Sequence, residues 1–183
     1  PFGQFTNGGD YFEGDLAREQ KQKVSLGFTY SNNQNAIRTG GQLGVFLFTP
    51  TDIITSAADF MYKYKGWAFA AEYMNRSSPS PISTNDEGDE RHVYVGHGLN
   101  VQGSYIFKNN FEFVARYSEV DPDKEIQDKE NREQQYTVGV NKYFKGHRVK
   151  LQTDLTYQED QFTGNNTFVH DFWIFRFQIE VGI

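Results

Sequence analysis

The last thirteen residues, Asp171 to Ile183, read DFWIFRFQIEVGI and repeat with a period of two. Trp173, Phe175, Phe177, Ile179, Val181 and Ile183 share one parity. Arg176, Gln178, Glu180 and Gly182 share the other, with Phe172 and Ile174 as apolar exceptions. Period two sends successive side chains to opposite faces, so the segment is a strand with one apolar and one polar face. Strands of soluble proteins run to about 5–6 residues, whereas a tilted strand crossing a bilayer needs about 9–11. The last strand of a large soluble sandwich would show the same parity, so the rest of the chain must separate the two.

No apolar run approaches the ~20 residues of a membrane helix, and mean hydropathy is −0.69. Helical spanning is excluded, but a membrane barrel is not, because alternating strands average out polar. The chain has no Cys, which removes disulfides and thiolate metal sites. A net charge of −6 argues against nucleic acid as a partner. The chain begins at Pro1 without Met or a secretory signal, and we expect a mature, processed or partial protein.

Residues 1–20 carry no strong period; Phe2, Phe5, Tyr11 and Phe12 are scattered, and a loop is expected there. Val24, Leu26, Phe28 and Tyr30 predict a strand at about 22–31. Ser31 to Thr51 reads as a long connection holding an apolar knot, Val45 to Phe48. A second strand, Asp52 to Tyr64, turns at Lys65-Gly66 into a third bearing Trp67, Phe69, Ala71 and Tyr73. Arg76 to Glu90 reads as a loop without a core. His92 to Phe107 predicts a fourth strand with Val93, Val95, Leu99, Val101, Tyr105 and Phe107 on its apolar face. A turn at Lys108-Asn109-Asn110 leads to Phe111, Phe113, Ala115 and Tyr117 in a fifth. After an acidic loop, Val120 to Arg132, the sixth presents Tyr136, Val138, Val140 and Phe144. Lys145-Gly146 reads as a two-residue turn into a seventh with Val149, Leu151, Leu155 and Tyr157. A loop at about 158–169 precedes the terminal strand.

Two turns test this register. Lys65-Gly66 pairs Tyr64 with Trp67, and the three-residue loop pairs Phe107 with Phe111; cross-strand partners must share a face, and both pairs do. Connections alternate between two or three residues and roughly ten to twenty, as in outer-membrane barrels with short periplasmic turns and long external loops. Tyr62, Tyr64, Trp67, Tyr105, Phe107, Phe111, Tyr143 and Phe144 gather at the short-turn ends. Tyr30, Tyr73, Tyr117, Tyr136 and Tyr157 stand at the opposite ends. Two such belts suit two membrane interfaces. The expected fold is all-β, a transmembrane antiparallel up-and-down β-barrel.

Three segments carry a resemblance: DFMYKYKGWAFAAEYMNR at Asp59–Arg76, YTVGVNKYFKGHRVKLQTDLTY at Tyr136–Tyr157, and the terminal RFQIEVGI. Together they resemble the phosphate-selective porin O/P family of Bacteroidetes-type Gram-negative bacteria. Asp59, Lys65, Gly66, Glu72 and Tyr73 match its aspartate-led strand, Lys-Gly turn and "EY" pair. Gly139, Asn141 and Tyr143, then Arg148, match its "GxNWY" strand and the basic strand after it, with Lys142 where the family commonly has Trp. The likeness covers most of residues 10–183 and only the C-terminal part of such a porin. It implies about eight strands of a sixteen-stranded barrel, lying in the bacterial outer membrane with the C-terminus periplasmic.

On the polar parity, Lys23, Lys63, Arg76, Arg116, Arg148, Lys150 and Arg176 face Asp59, Glu72, Glu112, Asp154 and Glu180. Lys63, Arg116, Arg148, Lys150 and Arg176 are the candidate solute path for small anions, phosphate among them; the five carboxylates are their counter-charges. Two readings stay open: a wall that helps anions pass, or a mutually neutralising network that orders a water-filled lumen. Small side chains on this parity, Gly27, Ala57, Ala68, Ala70, Gly96, Gly98, Gly139 and Gly182, are too slight to fill a closed eight-stranded barrel. An open arc is expected. His92, His97, His147 and His170 lack metal-ligand spacing, and the acidic run Asp121, Asp123, Glu125, Asp128 and Glu130 lacks an ordered Ca²⁺-loop pattern. Neither a catalytic motif nor a cofactor is expected. The function expected is a passive outer-membrane porin; the alternative is a structural or accessory barrel subunit that conducts little. Partners would be outer-membrane lipid and lipopolysaccharide, small anions or other solutes, and a homotrimer or other outer-membrane proteins.

Overall fold

A computed structural model of the chain describes residues 3, 5, 13–162 and 168–182. Ten strands follow in order: β1 Lys23–Arg38, β2 Phe46–Tyr64, β3 Trp67–Ser77, β4 Ile82–Thr84, β5 Glu90–His92, β6 Gly96–Ile106, β7 Phe111–Pro122, β8 Arg132–Lys145, β9 Val149–Phe162 and β10 Phe168–Val181. Eight form one antiparallel sheet in the order β1-β2-β3-β6-β7-β8-β9-β10, while β4 and β5 make a separate hairpin inserted between β3 and β6. The fold is all-β and up-and-down. Among the described residues β1 and β10 pair with one neighbour each and not with one another. Phe2, Tyr11, Phe12 and Ile183 lie outside the described residues.

The register carries the period of two across the whole sheet. One row runs Val24, Tyr62, Phe69, Gly103, Ala115, Val138, Leu155, Phe175. The next runs Lys23, Lys63, Ala68, Ser104, Val114, Gly139, Asp154, Arg176. A slip of one residue in any strand would mix the rows, and none is mixed. Phe60, Trp67, Phe113, Tyr117, Leu151, Phe177 and Ile179 fall on the apolar face; Glu72, Arg116 and Lys150 fall on the polar face with Lys63 and Arg176. The apolar face is exposed: Phe28 is 80 % accessible and Phe175 71 %.

Aromatic rings edge this face at both ends. Near the short turns Trp67 meets Tyr105 at 4.7 Å, Tyr105 meets Phe107 at 4.9 Å and Phe107 meets Phe113 at 5.6 Å. At the far end Tyr117, Tyr136, Tyr157 and Trp173 form a ladder with spacings of 5.0, 6.5 and 5.2 Å. Tyr143 does not join the first belt, as the sequence suggested. It takes the polar parity and is buried with its hydroxyl on Glu112.

The turn between β2 and β3 follows from its residues. Lys65 and Gly66 both have positive φ, 50° and 93°, the type I′ geometry that matches strand twist. A Cβ at Gly66 would also stand 2.7 Å from the Ile106 carbonyl oxygen.

Several expected boundaries are corrected. Ser31 to Thr51 is not one long connection: β1 continues to Arg38 and β2 starts at Phe46, with Asn32 paired to Ile54 and Asn33 to Ile53. β7 runs on to Pro122, and β9 to Phe162. The β8–β9 turn is not the two-residue Lys145-Gly146. Lys145 pairs with Val149 after a bulge, leaving Gly146, His147 and Arg148 as the connection.

The long connections are corrected most. Val93 and Val95 do not face outward in a strand; they lie between β5 and β6 with Tyr94, 0 % and 2 % exposed. Gly96 adopts φ 141°, which breaks the parity continued from β6. With Ala36, Ile53 and Ile126 the two valines form a buried cluster, on which Leu47, Ile82 and Tyr94 pack. The 76–90 stretch thus contributes Ile82 to a core, and the acidic 120–132 stretch contributes Ile126. Ile53 has polar-face parity, so this cap stands on that side at the long-connection end.

Candidate functional site

The polar face is built strand by strand from side chains that alternate with the apolar set. Arg176 on β10 meets Asp154 on β9, Nη2 to Oδ1 at 2.8 Å, and also donates to the Thr156 hydroxyl at 2.8 Å. Lys150 on β9 meets Glu180 on β10 at 3.0 Å. Both pairs sit in direct cross-strand register, where opposite charges stabilise a sheet. Among the described residues Glu112 on β7 pairs with no cation; it is 2 % exposed and accepts hydrogen bonds from Tyr143 Oη at 2.6 Å and Asn141 Nδ2 at 2.7 Å.

Arg116 differs from its neighbours. Among the described residues no carboxylate lies within ion-pair distance of it, and its buried Nε has no hydrogen-bond partner there. Together Arg116, Lys150, Arg176, Glu112 and Asp154 line one recess of about 570 Å³, with Gln102, Asn141 and Gln152 among its amide groups. The neutralising arrangement therefore holds for two pairs of the wall, leaving the Arg116 guanidinium without a counter-charge among the described residues.

The other candidate residues lie elsewhere. Asp59 and Glu72 are cross-strand neighbours on β2 and β3, both exposed, with Asp59 lying over Gly27 on β1. Arg76 donates to the Thr55 hydroxyl at 3.2 Å. Arg148 is not on the wall: it is exposed in the β8–β9 turn, where its carbonyl accepts the Gly182 amide at 2.6 Å. Beside it, His147 has its pKa lowered by burial and then by Lys150 and Lys63, so it stays neutral more readily than an exposed histidine.

A segment the sequence leaves without a pattern proves to be part of this face. Residues 13–22, ahead of β1, cross its short-turn end. The Lys63 ammonium donates to the Gly14 carbonyl at 3.1 Å, Gln102 reaches the Glu13 carboxylate at 3.4 Å, and Lys23 pairs with Glu19 at 2.9 Å. The Asp15 carboxylate accepts the Gly66 amide at 2.7 Å, and Arg18 donates to the Ile106 carbonyl. Burial raises the Asp15 pKa, and the hydrogen bonds from the Glu19 and Gly66 amides oppose the rise.

His97 lies at the far edge of the apolar face, with its ring 6.1 Å from Tyr73. Its Nε2 stands 3.7 Å from Glu119, and Asp121 joins them with ligand atoms within 4.8 Å, a grouping that chain spacing did not reveal. Arg132 already occupies both carboxylates, at 3.2 and 3.7 Å, and Gln134 and Tyr117 bond Glu119 as well. A cation would have to displace the guanidinium.

Among known proteins, no family model, no curated protein and no solved structure matches this chain.

Proposed function

We propose that the chain is wall of an outer-membrane β-barrel, about eight strands of some sixteen, enclosing a water-filled pore for passive diffusion of small solutes. One observation carries the reading: an exposed apolar face continuous across eight strands and bordered by an aromatic ladder at each end. A soluble monomer rarely exposes an apolar patch beyond about 300–600 Å². In a bilayer the same face meets hydrocarbon, and the aromatic borders meet the two interfaces. The strands of the eight-stranded sheet, 11 to 19 residues long, reach or exceed the about 9–11 needed to cross.

The resemblance to phosphate-selective porins supports the same reading and suggests anions as solutes. Ion pairing on β9 and β10 reduces the field, so we propose a pore with mild anion preference, set by Arg116, rather than a dedicated phosphate channel. The cap and the 13–22 segment both stand on the polar face, which favours as second reading an accessory barrel of a larger outer-membrane assembly. Planar-bilayer recordings of the full-length protein separate the two. A porin gives steady open steps whose reversal potential in a KCl gradient lies slightly on the anion side; silence from protein that fractionates with the outer membrane sinks it.

A further inference from the structure

The segment 13–22 has contacts that a passing connection does not need. It starts against β6 and β7 and ends at β1, crossing β2 and β3 on the way. Four inter-strand spacings of about 4.8 Å make that a run of about 19 Å across the polar face. At its β7 end Gly14 lies so close that a Cβ there would stand 2.5 Å from Glu112 Oε1 and 3.1 Å from Ile106 Cδ1. In the middle Asp15, 1 % exposed, accepts the turn amide of Gly66 and the amide of Glu19. The Lys65 amide donates back to the Glu19 carbonyl at 2.9 Å. Glu13 and Gly14 form part of the recess that holds Arg116.

We infer that residues 13–22 are a strap that narrows the pore at its short-turn mouth and holds the floor of the Arg116 recess, latched by Asp15 on the β2–β3 turn. This rests on the pore reading above. The latch is polar and short: the Gly66 amide on the Asp15 carboxylate, the Lys65 amide on the Glu19 carbonyl, the Arg18 guanidinium on the Ile106 carbonyl and the Lys63 ammonium on the Gly14 carbonyl. Each is a contact that water can replace, whereas the ladder bonds of the wall are continuous. The strap is therefore the element of the wall that can lift without opening the sheet.

The test uses the full-length protein carrying Gln102→Cys, a position 8 % exposed beneath Glu13. The 183 residues contain no other thiol. A hydrophilic, membrane-impermeant thiol reagent should label Gln102→Cys slowly, and Asp15→Ala should raise the rate by about tenfold, the equilibrium shift that loss of a buried hydrogen-bond acceptor gives. Single-channel conductance should rise in the same variant. Arg18→Ala, which removes one contact and leaves Asp15 in place, should move both readouts in the same direction by less, and serves if Asp15→Ala does not fold. Unchanged labelling and conductance in the folded variants of a working channel overturn the strap. Absence of any steady channel from the unmodified protein overturns the pore instead, so the two failures are told apart.

Discussion

At the scale of single residues, three side chains make separable predictions. Arg116 has no counter-charge among the described residues, so in the proposed pore Arg116→Ala should move the KCl reversal potential toward cations. Arg176→Ala removes the same charge and should move it the same way, by leaving Asp154 uncompensated. Glu112 is buried and satisfies both Tyr143 and Asn141, so Glu112→Ala strands two donors and should cost about 1–3 kcal/mol in a urea titration of the refolded protein. Tyr94 lies in the cap with its hydroxyl buried and unpartnered. Burial, with Glu130 and Asp121 nearby, raises its pKa from 10.0 to about 12. An acid held protonated in the fold releases its proton first when unfolded, so stability is unaffected below about pH 10 and falls between there and about 12. Tyr94→Phe should remove that alkaline loss, read from the thermal midpoint against pH, without loss of stability at neutral pH.

At the scale of elements, the two-faced strand predicts an asymmetry. Val138→Arg places a charge on the apolar face of β8 and should cost about 2–4 kcal/mol in a lipid-refolding titration. Gln135→Lys, on the opposite face of the same strand, loses only a bond to Gln158 and should cost about 1 kcal/mol or less. What the sequence made legible follows the same physics. Wherever the two faces of a strand meet different surroundings, apolar and polar residues alternate, and strands, parity and the Tyr64–Trp67 pairing could be read directly. Beyond the belts that pressure is gone. Asn32 and Asn33 are polar and carry no period, yet β1 and β2 go on pairing because ladder hydrogen bonds ignore side-chain polarity. Val93 and Val95 kept the parity of β6 by coincidence, and the break at Gly96 turned them into a core instead. Arg148 was misplaced because a bulge after Tyr143 lengthens the turn. Residues 13–22 have no period at all; only the fold brings the Gly14 carbonyl to Lys63, the Asp15 carboxylate to Gly66 and the Arg18 guanidinium to the Ile106 carbonyl.

At the scale of the whole molecule, the polar face is bounded at one end by the cap and at the other by residues 13–22, while among the described residues no further strand pairs along β1 or β10. Unpaired backbone cannot face hydrocarbon, so in a bilayer both edges need strand partners. The order of the sheet has a mechanical consequence. Within the eight-stranded sheet each strand pairs only with its neighbours in the chain, apart from the β3–β6 join that bridges the small β4–β5 hairpin. A force applied to the C-terminus therefore meets one ladder at a time, β10 against β9, then β9 against β8. The tight connections Lys65-Gly66, Phe107–Asn110 and Gly146–Arg148 tie their strands into pairs, so in the proposed membrane barrel β8 with β9, β6 with β7 and β2 with β3 should come out together. Extraction by an atomic-force tip should give a sawtooth whose contour increments correspond to hairpins; a single all-or-none rupture would contradict the neighbour-only order.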